Sequence, residues 1–147
     1  MQPRSSAKNV TPASVCLVDA GVWIAAGDPR DRFSSASRSL VLDFERPLAA
    51  LDLTLYEVAN VAVRERRPDA ARHLVRTVVT RCEERLVAID EKLVVAAAEL
   101  ATEHGLTAYD AAYAATARHR GWTLVSTDIR DLVSKGLAVA PDAADYP

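Results

Sequence analysis

Long apolar runs are missing from this sequence: no stretch approaches the roughly 18 residues that a membrane span requires. Cysteine is scarce as well. Cys16 and Cys82 stand far apart, without CxxC or Cys/His spacing, and support neither a disulfide framework nor a zinc site. Both read as buried free thiols in a reducing cytoplasm. The three histidines, His73, His104 and His119, fall on helical segments, where surface or helix-end positions account for them. An excess of positive charge is lacking too. The 18 Lys+Arg against 20 Asp+Glu leave a formal net charge of −2, which gives no overall pull toward nucleic acid. The opening MQPRSSAKNVTPAS has no apolar core and does not read as a secretory signal. Residues 1–14 are therefore expected to form a flexible extension, and the protein to be cytoplasmic.

What is present is a chain of 147 residues, 50% hydrophobic and 26% charged, enough for one soluble domain with a real core. SVCLVD, residues 14–19, is short, apolar and β-branched, and reads as a buried strand. The helical turn GVWIAA follows, then a helix over about 34–45, a second strand in PLAAL, a helix through LTLYEVANVAVRERR and another from Pro68 to Arg85. LVAI, 86–89, predicts a third strand, after which Asp90 is placed to cap a helix that stops at Gly105. LTAYDAAYAATA predicts a helix ended by Gly121, TLVS a fourth strand, DIRDLVSK a short helix ended by Gly136, and LAVA a fifth strand closed by Pro141. Strands alternating with helices imply a parallel sheet, because parallel neighbours need crossover connections. The expectation is a three-layer α/β/α domain over residues 15–141, with a mostly parallel sheet of four to five strands, followed by a tail, 142–147.

Acids occupy telling positions. Asp19 comes just after strand one, Glu57 in the first turn of the helix after strand two, Asp110 in the first turn of an alanine-rich helix, and Asp128 just after strand four; Asp131 is a further candidate. In an open parallel sheet the C-terminal strand ends and the N-termini of the following helices share one edge, where ligands bind. Taken singly, each acid also fits a helix cap. Thr54-x-x-Glu57, Thr107-x-x-Asp110 and Asp128-x-x-Asp131 have capping-box spacing, and Asp19 can cap the turn after strand one. Taken together, they come from different elements and point to one edge. Two carboxylates about 5 Å apart repel by roughly 3 kcal/mol at an effective dielectric near 20, so a cluster needs neutralising. Protons do this by raising pKa values; a hard divalent cation, Mg²⁺ or Mn²⁺, does it through oxygen ligands. Carboxylates without a histidine are a poor match for zinc.

The order VDAGVWI, YEVANVA, LTAYDAAYAATA and LVSTDIRDL resembles the PIN-domain nucleases, most closely the VapC-type toxins of bacterial toxin–antitoxin pairs, over about Val15 to Leu132. The resemblance implies a PIN-like fold and a Mg²⁺- or Mn²⁺-dependent endoribonuclease, commonly a homodimer, held inactive by a small antitoxin. It carries the four acids onto Asp19, Glu57, Asp110 and Asp128, and Asn60 and Ser126 also suit its pattern. The working assignment is that Asp19, Asp110 and Asp128 ligate the metal and Glu57 is a further ligand or the base, while Asp131 joins through water, helps bind a second metal or is an ordinary first-turn helix acid. One position departs. Gly21 stands where members often carry Ser or Thr, and the missing hydroxyl predicts weaker metal affinity or a slower rate.

Substrate contacts are harder to assign. With the five acids set aside, 18 basic residues face 15 acidic ones. Arg64, Arg66 and Arg67 lie beyond the Glu57 helix, Arg30 and Arg32 in a loop, and Arg130 beside the acids. RNA phosphate contacts and solvated helix faces both explain them. Tyr56, Tyr109 and Tyr113 could stack on bases, while Trp23 suits the core better. An apolar stripe between Thr54 and Arg85 suits a homodimer, an antitoxin helix or an internal contact. Three other readings compete for these residues. A receiver-like phosphoacceptor using Asp90 would need an early acid pair and a lysine after the fifth strand, but Ala20 and Gly21 follow Asp19 and Lys135 precedes that strand. A phosphatase with a DxD nucleophile fails at Gly21 as well. A PIN-like module that only binds a partner is the stronger rival.

Overall fold

The computed structural model describes residues 13–143. Apart from two residues each, the expected N-terminal extension and C-terminal tail lie outside the described residues. β1 (Cys16–Val18) and β2 (Leu48–Leu51) are buried at every position, which is why they read as continuous apolar runs rather than as alternating ones. β3 (Leu86–Val87) and β4 (Thr123–Val125) flank them in the order β3-β2-β1-β4, and every pair is parallel. Side chains alternate across the sheet. Cys16, Val18, Leu48 and Ala50 enter one core, and Leu17, Ala49, Leu51 and Leu124 enter the other.

The first core is closed by α1 (Ala20–Gly27), α2 (Ser34–Leu42), α4 (Pro68–Cys82) and the Val58 face of α3 (Asp52–Arg64). Trp23 is almost fully enclosed there, and its indole N–H donates to the Val18 carbonyl at 3.3 Å. α5 (Glu91–His104) and α6 (Ala108–Arg120) close the second core. In α6 every residue from Ala111 to Ala117 is buried, so the middle of this helix is enclosed all round rather than amphipathic. Its small side chains allow close approach to the sheet and to α5. Thr107 caps its start and Gly121, at φ +66°, ends it.

Strand order steps outward from β1 to β3 and then returns to place β4 on the other side of β1. That reversal puts the topological switch point at the C-terminal ends of β1 and β4, the usual ligand position in such sheets. The three-layer expectation is met with four strands. The expected fifth is a single parallel bridge between Val125 and Val139, with Pro141 two residues beyond. The third strand stops early because the Ile89 N–H leaves the ladder for Asp52 Oδ2, at 3.2 Å. The helix expected to reach Arg85 ends at Cys82, where Glu83 takes φ +50°, and a 3-10 turn, Glu83–Arg85, follows.

Arg81 belongs to the interior bonding of the fold, not to a free basic face. Its guanidinium donates to the carbonyls of Val41 (2.6 Å), Asp43 (2.9 Å) and Arg46 (3.4 Å), satisfying groups that the end of α2 leaves without helical partners. This also explains why α2 stops at Leu42 and not near residue 45. Arg81→Met is expected to lower unfolding free energy by about 2–4 kcal/mol, since the hydrogen bonds involve a charged donor and their acceptors stay behind. Urea denaturation measures this, and an unchanged midpoint would contradict the assigned role.

Candidate active site

Asp19 follows β1 and occupies the N-cap of α1, with Oδ1 accepting from the Val22 N–H at 3.2 Å. Its other oxygen, Oδ2, accepts a short hydrogen bond from Ser126 Oγ. Ser126 is fully buried just after β4, and the same hydroxyl oxygen accepts from the Asp128 N–H at 2.9 Å. One serine therefore ties the turn after β1 to the turn after β4. Asp128 in turn caps the π-helix Ile129–Val133, accepting from the Asp131 N–H at 2.9 Å.

Asp110 and Glu57 approach from the two helix layers. Thr107 Oγ1 accepts from the Asp110 N–H at 3.1 Å, the N-cap bond expected from the spacing, and donates to Asp110 Oδ2 at 2.9 Å, so the carboxylate meets the cap's hydroxyl and not its backbone N–H. Glu57 differs from expectation. α3 starts at Asp52 directly after β2, so Glu57 falls in the second turn and Thr54 is not a cap. Thr54 is instead buried and shares a 2.7 Å hydrogen bond with the Tyr113 hydroxyl, which donates to Glu57 Oε1 at 3.4 Å. Sequence reading missed this Thr54–Tyr113–Glu57 tether. The available signal was Tyr113 standing three residues after Asp110, one helical turn along the same face.

Electrostatics ties the acids into one network. Burial raises the Asp19 pKa to about 7, and the charges of Glu57 and Asp110 push in the same direction against the hydrogen bonds from Ser126 and Val22. Burial also raises Glu57, with Asp110 adding to it, and raises Asp110, with Asp128 and Asp131 adding to it. Asp131 itself is held below the usual carboxylate range by Arg130, whose guanidinium donates to it at 2.7 Å. Among the described residues no group of three or more His, Cys, Asp and Glu is already gathered tightly enough to grip a metal. The donor set nevertheless suits a hard divalent cation: it is all oxygen, partly buried and mutually repelling.

Asn60 is exposed on α3, one turn beyond Glu57. Arg64, Arg66 and Arg67 are exposed at and beyond the far end of α3, with Arg64 about 10 Å along the helix axis from Glu57. Arg67 shares with Arg30 a groove of about 610 Å³ between α1, α3 and α4. Tyr56 and Tyr109 are 75% and 67% exposed, leaving their rings open to partners.

Asp19 gives a test with a definite sign. Its folded pKa lies above its unfolded value, so the native state holds the proton more tightly, and stability falls as pH rises from about 4 to about 7. In EDTA, Asp19→Asn is expected to stabilise the protein at pH 8 by on the order of 3 kcal/mol, and by progressively less as pH drops toward 4. Urea unfolding at both ends of that range measures it. An equal gain at both would show that burial of the charge is not the cause.

The sheet order, the switch point and the acids together bear on ancestry. The PIN domain family model matches residues 16–134. A curated relative, the exonuclease VapC9 of Pyrobaculum aerophilum, is 34% identical over 125 residues, covering 81% of this chain and 84% of that protein. Two solved structures share the fold. A toxin–antitoxin complex from Klebsiella pneumoniae is 20% identical with a TM-score of 0.65, covering 86% of this chain and 97% of that one. VapC20 of Mycobacterium tuberculosis, described as a sarcin–ricin loop cleaving toxin, is 20% identical with a TM-score of 0.68, covering 82% of this chain and 95% of that one. With a buried acid at the end of β1 and the family match running from that strand through the last acid, this chain belongs to the PIN-domain family and is of the VapC type.

Proposed function

We propose that the protein is a Mg²⁺- or Mn²⁺-dependent endoribonuclease, the toxin of a toxin–antitoxin pair. The observation that carries this reading is the electrostatic convergence of Asp19, Glu57, Asp110 and Asp128 from four elements. In this assignment Asp19, Asp110 and Asp128 hold the cation directly or through water. When bound, the cation lowers the pKa of water and offsets charge developing at phosphorus. Glu57 orients the attacking water or takes its proton, a role that suits a carboxylate whose pKa is raised. Ser126 fixes the rotation of Asp19, and Tyr113 fixes Glu57. Asn60 and Asp131 act through water at the margin, while Arg130 at the rim and Arg64, Arg66 and Arg67 farther along contact RNA phosphates.

The groove between α1, α3 and α4, with Ile24, Val61 and Leu74 beside Arg30, Glu65 and Arg67, suits an amphipathic antitoxin helix. A homodimer is assigned to the α5–α6 side, where Val94 and Tyr109 border an apolar cleft of about 240 Å³ and both are exposed. The names of the relatives support the toxin reading, and one of them includes the word exonuclease.

Protein freed of any co-purified partner is expected to cut RNA with Mg²⁺ or Mn²⁺ and to be silent in EDTA. Asp19→Asn and Asp110→Asn should each lower the rate at least about 100-fold, and Ser126→Ala about 10- to 100-fold through misorientation of Asp19. Cleavage that survives both EDTA and Asp19→Asn would sink the metal mechanism. No cutting by folded protein under either metal would favour a binding module.

A closed circular RNA separates the two nuclease modes. Opening of the circle is expected of an endonuclease. Degradation of the linear form beside an intact circle would assign exonuclease action instead.

A further inference from the structure

Gly21, in the first turn of α1, is not an empty place. A Cβ built on Gly21 would lie 2.2 Å from Thr127 Oγ1 and 3.4 Å from Asp19 Oδ1. The first distance is far inside any tolerated carbon–oxygen contact, whereas the second is ordinary van der Waals range. The hydroxyl of Thr127 thus fills the volume that a side chain at residue 21 would occupy, in the small space beside Asp19 Oδ1. Thr127 is held there by its neighbours. Ser126 before it is bound to Asp19, and Asp128 after it caps the π-helix. Among the described residues, the Thr127 hydroxyl has no hydrogen-bond partner, and the residue is only half-buried. It is a polar group with free capacity at the mouth of the acid cluster.

We propose that Thr127 is a positioning residue of the metal site, its free hydroxyl bonding water of the cation beside Asp19 from the place a residue-21 side chain would otherwise take. The inference rests on the metal reading above. It reverses the expectation drawn from glycine alone. Gly21 does not leave a hydroxyl missing; it makes room for one that arrives from the turn after β4. A side chain added at residue 21 would expel the Thr127 hydroxyl, so the two positions are coupled and their substitutions are not additive.

Calorimetric Mn²⁺ titration, without RNA, tests this on the wild type, Thr127→Val, Thr127→Ser, Gly21→Ala, the double variant Gly21→Ala/Thr127→Val, and Gly21→Ser/Thr127→Ala. Urea midpoints in EDTA confirm that each variant is folded. Thr127→Val is expected to weaken Mn²⁺ binding about 10-fold, with Thr127→Ser retaining it. Gly21→Ala should weaken binding to the same extent and add nothing to Thr127→Val. Gly21→Ser/Thr127→Ala should recover affinity by supplying the hydroxyl from the other side. Wild-type affinity in Thr127→Val, or fully additive losses in the Gly21→Ala/Thr127→Val double, would overturn the proposal and leave the metal reading intact. No Mn²⁺ binding by the wild type would overturn both.

Discussion

The structure depends on holding a carboxylate, Asp19, away from water at the end of a central strand. Burial alone would drive this group to its neutral form, and the surroundings answer with directed hydrogen bonds: the Val22 N–H on one oxygen and the Ser126 hydroxyl on the other. Neither donor is adjustable. The first is fixed by the helix start, and the second by the parallel pairing of Val18 with Val125. The sheet register is therefore also the register of the site. A slip of one residue between β1 and β4 would turn Ser126 to the other face of the sheet and leave Asp19 half-satisfied.

The remaining acids extend this arrangement by a different logic. Asp110 and Asp128 each participate in a helix start, with Thr107 and Asp131 as partners, so each is anchored through one oxygen. Glu57, with a longer side chain and no cap to hold it, is steadied by Tyr113 from the opposite helix layer. Alanines make that reach feasible. The buried run Ala111–Ala117 draws α6 against the sheet, bringing a tyrosine of one layer to a glutamate of the other.

Much of this was legible in the sequence because periodicity and turn chemistry are local. The alternation of apolar runs with helical patterns, Gly105 and Gly121 as helix stops, and Asp90 and Thr107 as caps are each decided within a few residues. What escaped was decided by partners distant in sequence. The end of α2 is set by Arg81, some 40 residues later. β3 is cut short by Asp52, and Thr54 serves a tyrosine 59 residues away and not the start of its own helix. Gly21 belongs to the same class: the space a side chain there would need is filled by Thr127, which no spacing rule connects to it.

The double use of aspartate as cap and as acid has an evolutionary consequence. Asparagine is as good an N-cap as aspartate, so exchanging one for the other at Asp19 or Asp128 removes charge from the crevice while leaving the helix start bonded. A single base change suffices for that exchange. Loss of the crevice's negative charge and loss of fold are thus separable at these positions, and a lineage can shed the first while keeping the second. The same scaffold then persists as a folded surface free to be selected for binding alone.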